Sequence, residues 1–231
     1  MEVARAWEQD ANRDHMVMPG MVYLSQPTEY GTLYSRDELT AISHAAHAHD
    51  MTLFVDGARL AYALASPEND VTLEDLARLC NVFYIGGTKC GALLGEAVVV
   101  PDPQTIPHFF TQIKQHGALL AKGRVLGVQF EALFENGLYG RIGRNAVRFA
   151  GEITDALLQR GAELSVTSPT NQVFANVPDA LLDRLNERVD YGFWEKTDEN
   201  HTAIRFATSW ATRREEVDAL LSLIQELDFR G

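Results

Sequence analysis

The feature that most constrains the fold is a series of short apolar segments separated by helical ones. Residues 21–26, 52–56 and 82–85 are such segments, and each is followed by a turn or by a glycine. Strands that are apolar along most of their length, and that alternate with helices, are typical of a sheet covered on both faces. We therefore predict an α/β fold with a mostly parallel sheet and helices on both faces, in which residues 96–100 form a further strand.

Three of the predicted helices begin with a hydroxyl side chain that is followed three residues later by an acidic one. The pairs are Ser35 and Glu38, Thr72 and Asp75, and Thr212 and Glu215. In this arrangement the hydroxyl accepts a hydrogen bond from a free N–H of the first turn, and the acidic side chain bonds back to the capping residue. The pattern predicts helix starts at these three places.

The second half of the chain has a different character. Residues 105–160 are mostly helical in pattern with repeated glycines, and from Gly161 onward short strands mix with helices. This change predicts a smaller α+β unit that follows the sheet. We divide the chain into a larger sheet-containing domain, residues 1–140, and a small C-terminal domain, residues 141–231.

Charge and cysteine content disfavour several classes of protein. The chain has 20 basic and 32 acidic side chains, a net charge of −12, and no basic block. Such a balance argues against binding to nucleic acid or to anionic membrane surfaces. No apolar run approaches the roughly 18 residues of a membrane helix. Two cysteines cannot form a disulfide framework, and we expect a cytoplasmic protein.

Two polar residues follow predicted parallel strands, at the sheet edge where α/β proteins bind ligands. Asp56 ends the strand 52–56, and Lys89 lies in a glycine-flanked turn after the strand 82–85. A carboxylate at a strand end can keep a heteroaromatic nitrogen protonated; the alternative is a cap on the next helix. A lysine with little side-chain cover can be partly desolvated and become a nucleophilic amine. The alternative is a surface lysine, and the spacing leaves both questions open.

A third candidate, Arg205, lies within a predicted strand. Alternation along the strand points its side chain away from Ile204 and Phe206. An arginine in this position can bind a carboxylate through two parallel hydrogen bonds. The alternative is an exposed strand arginine without a ligand.

The histidines and cysteines predict no metal site. His44 and His47 share one helix face, but His49 does not, and no cysteine or carboxylate completes a ligand set. We interpret the histidines as a solvated face. Cys90, beside the candidate lysine, is interpreted as a small filler in a crowded turn rather than as a reactive thiol.

Four segments taken together resemble one known family. They are SQPTEYGTLYS (25–35), VDGARL (55–60), FYIGGTKCGALLGEAVV (83–99) and IRFATSW (204–210). They are similar to the threonine aldolase (β-eliminating lyase) family. Its members are pyridoxal-phosphate enzymes of the aspartate-aminotransferase fold (fold type I). The strand-ending acid and the lysine are 33 positions apart, which leaves room for the crossover between parallel strands.

The resemblance implies a cofactor-binding role for each matching residue. Lys89 resembles the catalytic lysine that forms a Schiff base with pyridoxal 5′-phosphate, and Asp56 resembles the acid that pairs with the pyridine nitrogen. Arg59 resembles the arginine near the phenolic oxygen of the cofactor. Thr88, next to the lysine, is a further cofactor-binding candidate. Lys122 lies near the position of a basic residue that reaches a cofactor phosphate across a subunit interface.

The resemblance also implies an activity. Arg205 resembles the arginine that binds the carboxylate of an amino-acid substrate. The implied reaction is retro-aldol cleavage of β-hydroxy-α-amino acids, such as L-threonine or L-allo-threonine to glycine and acetaldehyde, with low specificity. The alternatives are another fold-type-I enzyme, either a β-eliminating lyase or an aminotransferase, and a non-catalytic fragment. Enzymes of this fold pair their subunits around the active sites, so a homodimer or homotetramer is implied.

In this family, several functional groups precede the segment that matches the start of the chain. They are the glycine-rich phosphate loop, the aromatic residue that stacks on the cofactor and the histidine near the β-hydroxyl group. The resemblance therefore implies that the N-terminal part of the usual protein is missing here, and that residues 1–140 are a partial cofactor-binding large domain. No residue of the present sequence is predicted to be the β-hydroxyl base.

Overall fold

Residues 2–230 are described in a computed structural model of the chain. The helices are α1 (Glu2–Gln9), α2 (Arg36–His47), α3 (Leu60–Ala65), α4 (Leu73–Leu79), α5 (Phe109–Gln115), α6 (Arg124–Phe134), α7 (Leu138–Gln159), α8 (Leu182–Asn186) and α9 (Arg214–Gln225). The strands are β1 (Met21–Ser25), β2 (Thr52–Asp56), β3 (Val82–Ile85), β4 (Ala97–Val99), β5 (Glu163–Val166), β6 (Gln172–Pro178), β7 (Gly192–Lys196) and β8 (His201–Ala207). Among these residues, no helix is both long enough and apolar enough to cross a bilayer.

Sheet A is the mostly parallel sheet that the sequence predicts. Its strand order is β1-β2-β3-β4, with β1, β2 and β3 parallel and β4 antiparallel to β3. The register aligns Ser25 with Asp56 and Val55 with Phe83. The carboxyl ends of the parallel strands therefore lie at one edge, and Asp56 lies there. The predicted α/β class is confirmed.

The two faces of sheet A are covered unequally. Successive side chains of a strand point to opposite faces, and Leu53, Val55 and Phe83 are buried in a core formed with helices α2, α3, α4 and α7. On the other face Tyr23 is 57% exposed and stacks on Phe54, with 5.3 Å between ring centroids. Val98 of β4, on that same face, is 55% exposed. Within residues 2–230, helices thus bury one face, and both outer strands leave the other face partly open.

Two of the three predicted helix starts are confirmed. The Ser35 hydroxyl accepts a hydrogen bond from the Glu38 N–H, and the Glu38 carboxylate accepts one from the Ser35 N–H, so α2 begins with a capping box. Thr72 and Asp75 make the same pair of contacts at α4. Both helices begin where a local sequence signal satisfies free N–H groups of the first turn.

The third predicted helix start is wrong by one residue. The residue that precedes helix α9 is Arg213, not Thr212. The Arg213 N–H donates to the carboxylate of Glu216, not of Glu215, at 3.0 Å. The Thr212 hydroxyl instead accepts one from the Ser209 N–H at 2.9 Å. Because that hydroxyl stabilises the preceding turn, it is directed away from the helix.

Sheet B forms the predicted α+β unit in the second half of the chain. Its order is β5-β6-β8-β7, all neighbours are antiparallel, and one face packs against α7 and α9 in a second core. Short strand-like segments at 163–166, 173–175 and 203–207 predict β5, β6 and β8, but the sequence does not indicate β7. In β7 the side chain of Phe193 is 69% exposed, so the usual alternation of buried apolar and exposed polar residues is absent.

Helix α7 passes from one core to the other. Ala146 belongs to the first core and Phe149 to the second. Near its start α7 lies directly on α3, since a Cβ atom on Gly143 would lie 2.1 Å from the carbonyl oxygen of Ala61. The predicted division between residues 140 and 141 falls in the first turn of this helix, not in a linker, and it stays a prediction.

Candidate active site

Asp56, at the end of β2, has an ionised carboxylate. Its Oδ1 accepts a hydrogen bond from the Ala58 N–H at 2.9 Å, and its Oδ2 accepts one from the Tyr23 hydroxyl. Partial burial raises the pKa of Asp56, but the hydroxyls of Tyr23 and Tyr84, the Ala58 N–H and the charge of Lys89 outweigh it. The net pKa lies below the ordinary aspartate value, so the carboxylate is charged at neutral pH.

Two buried tyrosines fix the turn that carries Lys89. The Tyr139 hydroxyl donates to the carbonyl oxygen of Gly86 at 2.9 Å, and the Tyr62 hydroxyl donates to the carbonyl oxygen of Lys89. Burial raises the pKa of both tyrosines above the ordinary value. Both hydroxyls therefore remain neutral donors, and the backbone on either side of the lysine is held in place.

Glycines bring this turn against the loop that follows Asp56. The Gly86 N–H donates to the carbonyl oxygen of Gly57 at 2.9 Å. A Cβ atom on Gly57 would lie 2.0 Å from the Tyr84 carbonyl oxygen, and one on Gly86 would lie 2.3 Å from the Ala58 carbonyl oxygen. Side chains do not fit at either position, so the loops that carry the acid and the lysine pack backbone to backbone.

The side chain of Lys89 is exposed, as is that of Thr88. Of the two alternatives that the sequence leaves open for this residue, the surface lysine agrees with its exposure. The glycines pack beneath the turn and leave the lysine side chain open to solvent. Its positive charge contributes to the lowered pKa of Asp56, so the amine and the carboxylate act on each other at the same sheet edge.

Glu96, which the sequence analysis missed, also holds the lysine turn. Its carboxylate accepts hydrogen bonds from the Gly87 N–H and from the Thr88 hydroxyl, the latter at 3.0 Å. The Thr88 hydroxyl is thus bound to Glu96, and its contact with a cofactor stays a prediction. Glu96 directly precedes β4, whose antiparallel pairing with β3 returns it to the turn. Recognition of that hairpin would have identified it.

Arg59 and Arg205 are linked through Glu29 and Gln172, and each has a restricted side chain. Arg59, three residues after Asp56, has a side chain that is 15% exposed and that pairs with Glu29 at 3.4 Å. Arg205 lies on the face of sheet B opposite the second core, as the alternation predicted, and its Nη1 donates to Gln172 Oε1 at 3.1 Å. Across residues 2–230, no carboxylate forms an ion pair with Arg205, so its charge can bind an anionic ligand.

Lys122 is not brought to this group in the described part of the chain. It is exposed, precedes helix α6, and makes no hydrogen bond or ion pair with Asp56, Lys89 or Arg59 among residues 2–230. Its predicted contact with a phosphate, which the resemblance places across a subunit interface, stays a prediction.

Cys90 and His47 make contacts that are structural rather than catalytic. Cys90 is fully buried, and burial raises the pKa of its thiol to about 11, so it is a core residue rather than a nucleophile. His47 contacts the Asn81 side-chain oxygen at 2.9 Å. In the part of the chain that the structure describes, no group of His, Cys, Asp and Glu side chains could hold a metal ion.

The arrangement suits a particular kind of ligand. An ionised carboxylate binds a protonated ring nitrogen, a primary amine can react with an aldehyde, and arginines bind oxyanions. Asp56, Lys89, Arg59 and Arg205 supply these groups from two loops of sheet A and one strand of sheet B. An aromatic aldehyde with a basic ring nitrogen, together with a carboxylate-bearing substrate, would use all four.

Replacing Tyr23 with phenylalanine is expected to raise the pKa of Asp56, because the ionised carboxylate loses a hydrogen bond. The pKa of Asp56 is lower in the folded chain than in the unfolded chain. Ionised Asp56 therefore stabilises the fold at any pH above its unfolded-state pKa. This stabilisation is lost as the pH falls through the folded-state pKa. Urea unfolding should show Tyr23→Phe less stable than the parent at neutral pH, with the difference shrinking in acid. Tyr34→Phe is the matched control, and an equal loss at both pH values would exclude the linkage.

The chain is similar to several known proteins. The family model described as beta-eliminating lyase matches residues 1–187. The low specificity L-threonine aldolase of Pseudomonas sp. (strain NCIMB 10558) is 30% identical over 216 residues, which are 91% of this chain and 60% of that protein. The same-named protein of Pseudomonas aeruginosa is 30% identical over 207 residues, which are 89% of this chain and 59% of that protein.

Among solved structures, a threonine aldolase from Leishmania major superposes with a TM-score of 0.91 at 38% identity. The match covers 97% of this chain and 65% of that one. The present chain therefore spans less than two thirds of the length of each of these relatives.

Proposed function

The chain belongs to the β-eliminating lyase family, and we propose that it acts as a pyridoxal-phosphate-dependent lyase on β-hydroxy-α-amino acids. The proposed reaction is retro-aldol cleavage, in which L-threonine or L-allo-threonine gives glycine and acetaldehyde. One observation carries the proposal: two glycine-packed loops hold ionised Asp56 and exposed Lys89 at one edge of sheet A. The names of the Pseudomonas and Leishmania relatives support the substrate class.

The residues at this edge fit the ring of pyridoxal 5′-phosphate. The Asp56 carboxylate accepts hydrogen bonds from the Tyr23 hydroxyl and the Ala58 N–H, and a carboxylate has lone pairs for further donors such as a ring N–H. Arg59 would bind the phenolic oxygen, and Lys89 would bind the aldehyde carbon. The phosphate partners are less complete, because Thr88 is bound to Glu96 and Lys122 lies apart from the group.

When bound, pyridoxal phosphate supplies a conjugated ring that accepts the electron pair of the broken Cα–Cβ bond. The role of Asp56 is to keep a proton on the ring nitrogen, which its low pKa allows because it stays ionised. Arg205 would bind the substrate carboxylate and so orient the bond that breaks. Lys89 would hold the cofactor through its exposed amine.

The family description itself favours a second candidate, β-elimination. Threonine as sole substrate distinguishes the two reactions. Cleavage gives acetaldehyde and glycine in equal amounts, whereas elimination gives ammonia and a keto acid. We expect acetaldehyde and glycine, and the appearance of ammonia with a keto acid instead would replace the proposed reaction by the second one.

We also propose that the enzyme is a homo-oligomer, a dimer or a tetramer. Support comes from apolar side chains of α5, α6 and the segment between them, where Phe110 is 64%, Leu120 58% and Val125 56% exposed. Several large apolar side chains this exposed in one stretch of the chain support a subunit contact there. Sedimentation equilibrium tests this proposal, and a monomer at all concentrations would contradict it.

A further inference from the structure

The guanidinium of Arg205 is held by two neighbours on its own sheet. Its Nη1 donates to Gln172 Oε1 at 3.1 Å, across the β6–β8 pair. Its Cζ lies 5.6 Å from the centroid of the Trp194 ring, within the range of a cation–π contact. A hydrogen bond and a stacking contact act on the same group from different directions and restrict its rotamers.

Gln172 also reaches the other half of the molecule. It is fully buried, and its Nε2 donates to the backbone carbonyl oxygen of Glu29 at 3.1 Å. The Glu29 carboxylate in turn pairs with Arg59 Nη1 at 3.4 Å. A continuous series of contacts therefore runs from Arg205 through Gln172 and Glu29 to Arg59, and it joins sheet B to the loop that follows β1.

The same loop, residues 27–34, is seated firmly on sheet B. Tyr30 packs edge-on against Trp194 at 5.2 Å between ring centroids, and Trp194 packs edge-on against Phe174 at 4.9 Å. The carbonyl oxygen of Gly31 accepts a hydrogen bond from the Thr170 hydroxyl at 3.0 Å. Glu29 and Trp194 are thus fixed relative to each other.

We propose that Gln172 and Trp194 are positioning residues that set the guanidinium of Arg205 for a carboxylate ligand, and that Gln172 couples it to Arg59. The part concerning the carboxylate rests on the proposed function. Neither residue contacts the reacting atoms. Together they make the two arginines one preorganised pair of cations, although the arginines belong to different sheets.

The chemistry of position 172 supports this role. A free arginine side chain loses rotamer freedom when it binds a ligand, and prior restriction reduces that loss. Gln172 is neutral, so it orients the guanidinium of Arg205 through a hydrogen bond without neutralising its charge. The amide can accept from Arg205 and donate to Glu29 at once. A carboxylate could only accept, and a hydrocarbon side chain could do neither.

Chemical modification of arginine tests the proposal without catalysis. The full chain, without cofactor, is treated with phenylglyoxal, and the modification rate of each arginine is followed by peptide mass spectrometry. In Gln172→Leu we expect Arg205 and Arg59 to react about fivefold faster. Arg205 loses its hydrogen bond to the amide directly. Arg59 is affected indirectly, because the backbone of its partner Glu29 loses the hydrogen bond from Gln172. In Trp194→Leu only Arg205 should react faster. Exposed Arg213 serves as the internal reference.

Control variants separate positioning from general stability. Asn176→Leu changes a polar side chain of the same strand, whose Oδ1 accepts from the Thr197 hydroxyl at 2.6 Å, and should leave both rates unchanged. Gln172→Glu keeps the acceptor and should keep Arg205 as slow as in the parent. Equal rates in Gln172→Leu and the parent, or equal acceleration by Asn176→Leu, would overturn the proposal. An unchanged Arg59 in Gln172→Leu would overturn the coupling.

Protection by a small ligand tests whether Arg205 binds a carboxylate. N-acetylglycine should slow modification of Arg205 in the parent chain, and N-acetylglycinamide, which lacks the carboxylate, should not. Equal protection by both compounds, or by neither, would overturn the carboxylate assignment. None of these rates depends on lyase activity, so failure of the proposed function would show separately, in the product assay.

Discussion

Replacing Asp56 with asparagine is expected to lower kcat/KM for threonine cleavage by roughly 10²–10³-fold, in line with the cost of removing one partner of a partly buried charge pair. Asparagine has nearly the same shape but no negative charge, so it cannot keep a ring nitrogen protonated. The side chain also loses its charge interaction with Lys89. The measurement is steady-state kinetics of acetaldehyde release with saturating pyridoxal phosphate.

Asp37→Asn is the matched control for this prediction. Asp37 is exposed in the first turn of α2, away from the lysine turn, and its replacement should leave the kinetics unchanged. Retention of parental kcat/KM in Asp56→Asn would exclude the proposed role of the carboxylate, whereas a loss shared with Asp37→Asn would point to a general effect of charge.

Replacing Gly86 with alanine is expected to destabilise the fold by more than about 3 kcal/mol, a large effect for one methyl group. The new Cβ would lie 2.3 Å from the carbonyl oxygen of Ala58 and 2.6 Å from that of Gly57. Both contacts are with backbone, which cannot move aside as a flexible side chain could. The loops that carry Asp56 and Lys89 would be forced apart, so urea unfolding and the site geometry should change together.

Gly151→Ala is the control for the Gly86→Ala prediction. Gly151 lies in the interior of α7, and nothing is within 4 Å of a Cβ built there. Alanine should stabilise the helix at this position by about 0.5–1 kcal/mol. If Gly86→Ala were as stable as the parent while Gly151→Ala behaved as expected, the close packing of the two loops would be wrong.

The elements predicted correctly are those whose signals are local. The strands at β2 and β3 are runs of apolar residues, and the capping boxes at Ser35 and Thr72 lie within four residues. The wrong start of α9 has a local cause too, because Thr212 carries a hydroxyl that two different backbone groups could use. Only the folded turn at Ser209 decides between them.

The sequence located the charged residues of the candidate site at strand ends but did not indicate the side chains that contact them. Asp56 and Lys89 stand at strand ends, which sequence spacing reveals. Tyr23 and Glu96 act on them across strand pairs, and those contacts depend on register and on a hairpin. The sequence left the exposure of Lys89 undecided, because flanking glycines indicate close packing of the backbone without saying on which side it occurs.

Identification of the lysine that binds pyridoxal phosphate tests the central claim most directly. The full chain is mixed with the cofactor, reduced with borohydride and mapped by peptide mass spectrometry. Stoichiometric label on Lys89, lost in Lys89→Ala and retained in the exposed-lysine control Lys114→Ala, is the predicted result. Label on a different lysine, or equal label in Lys89→Ala and the parent, would contradict the assignment of this turn as the cofactor site.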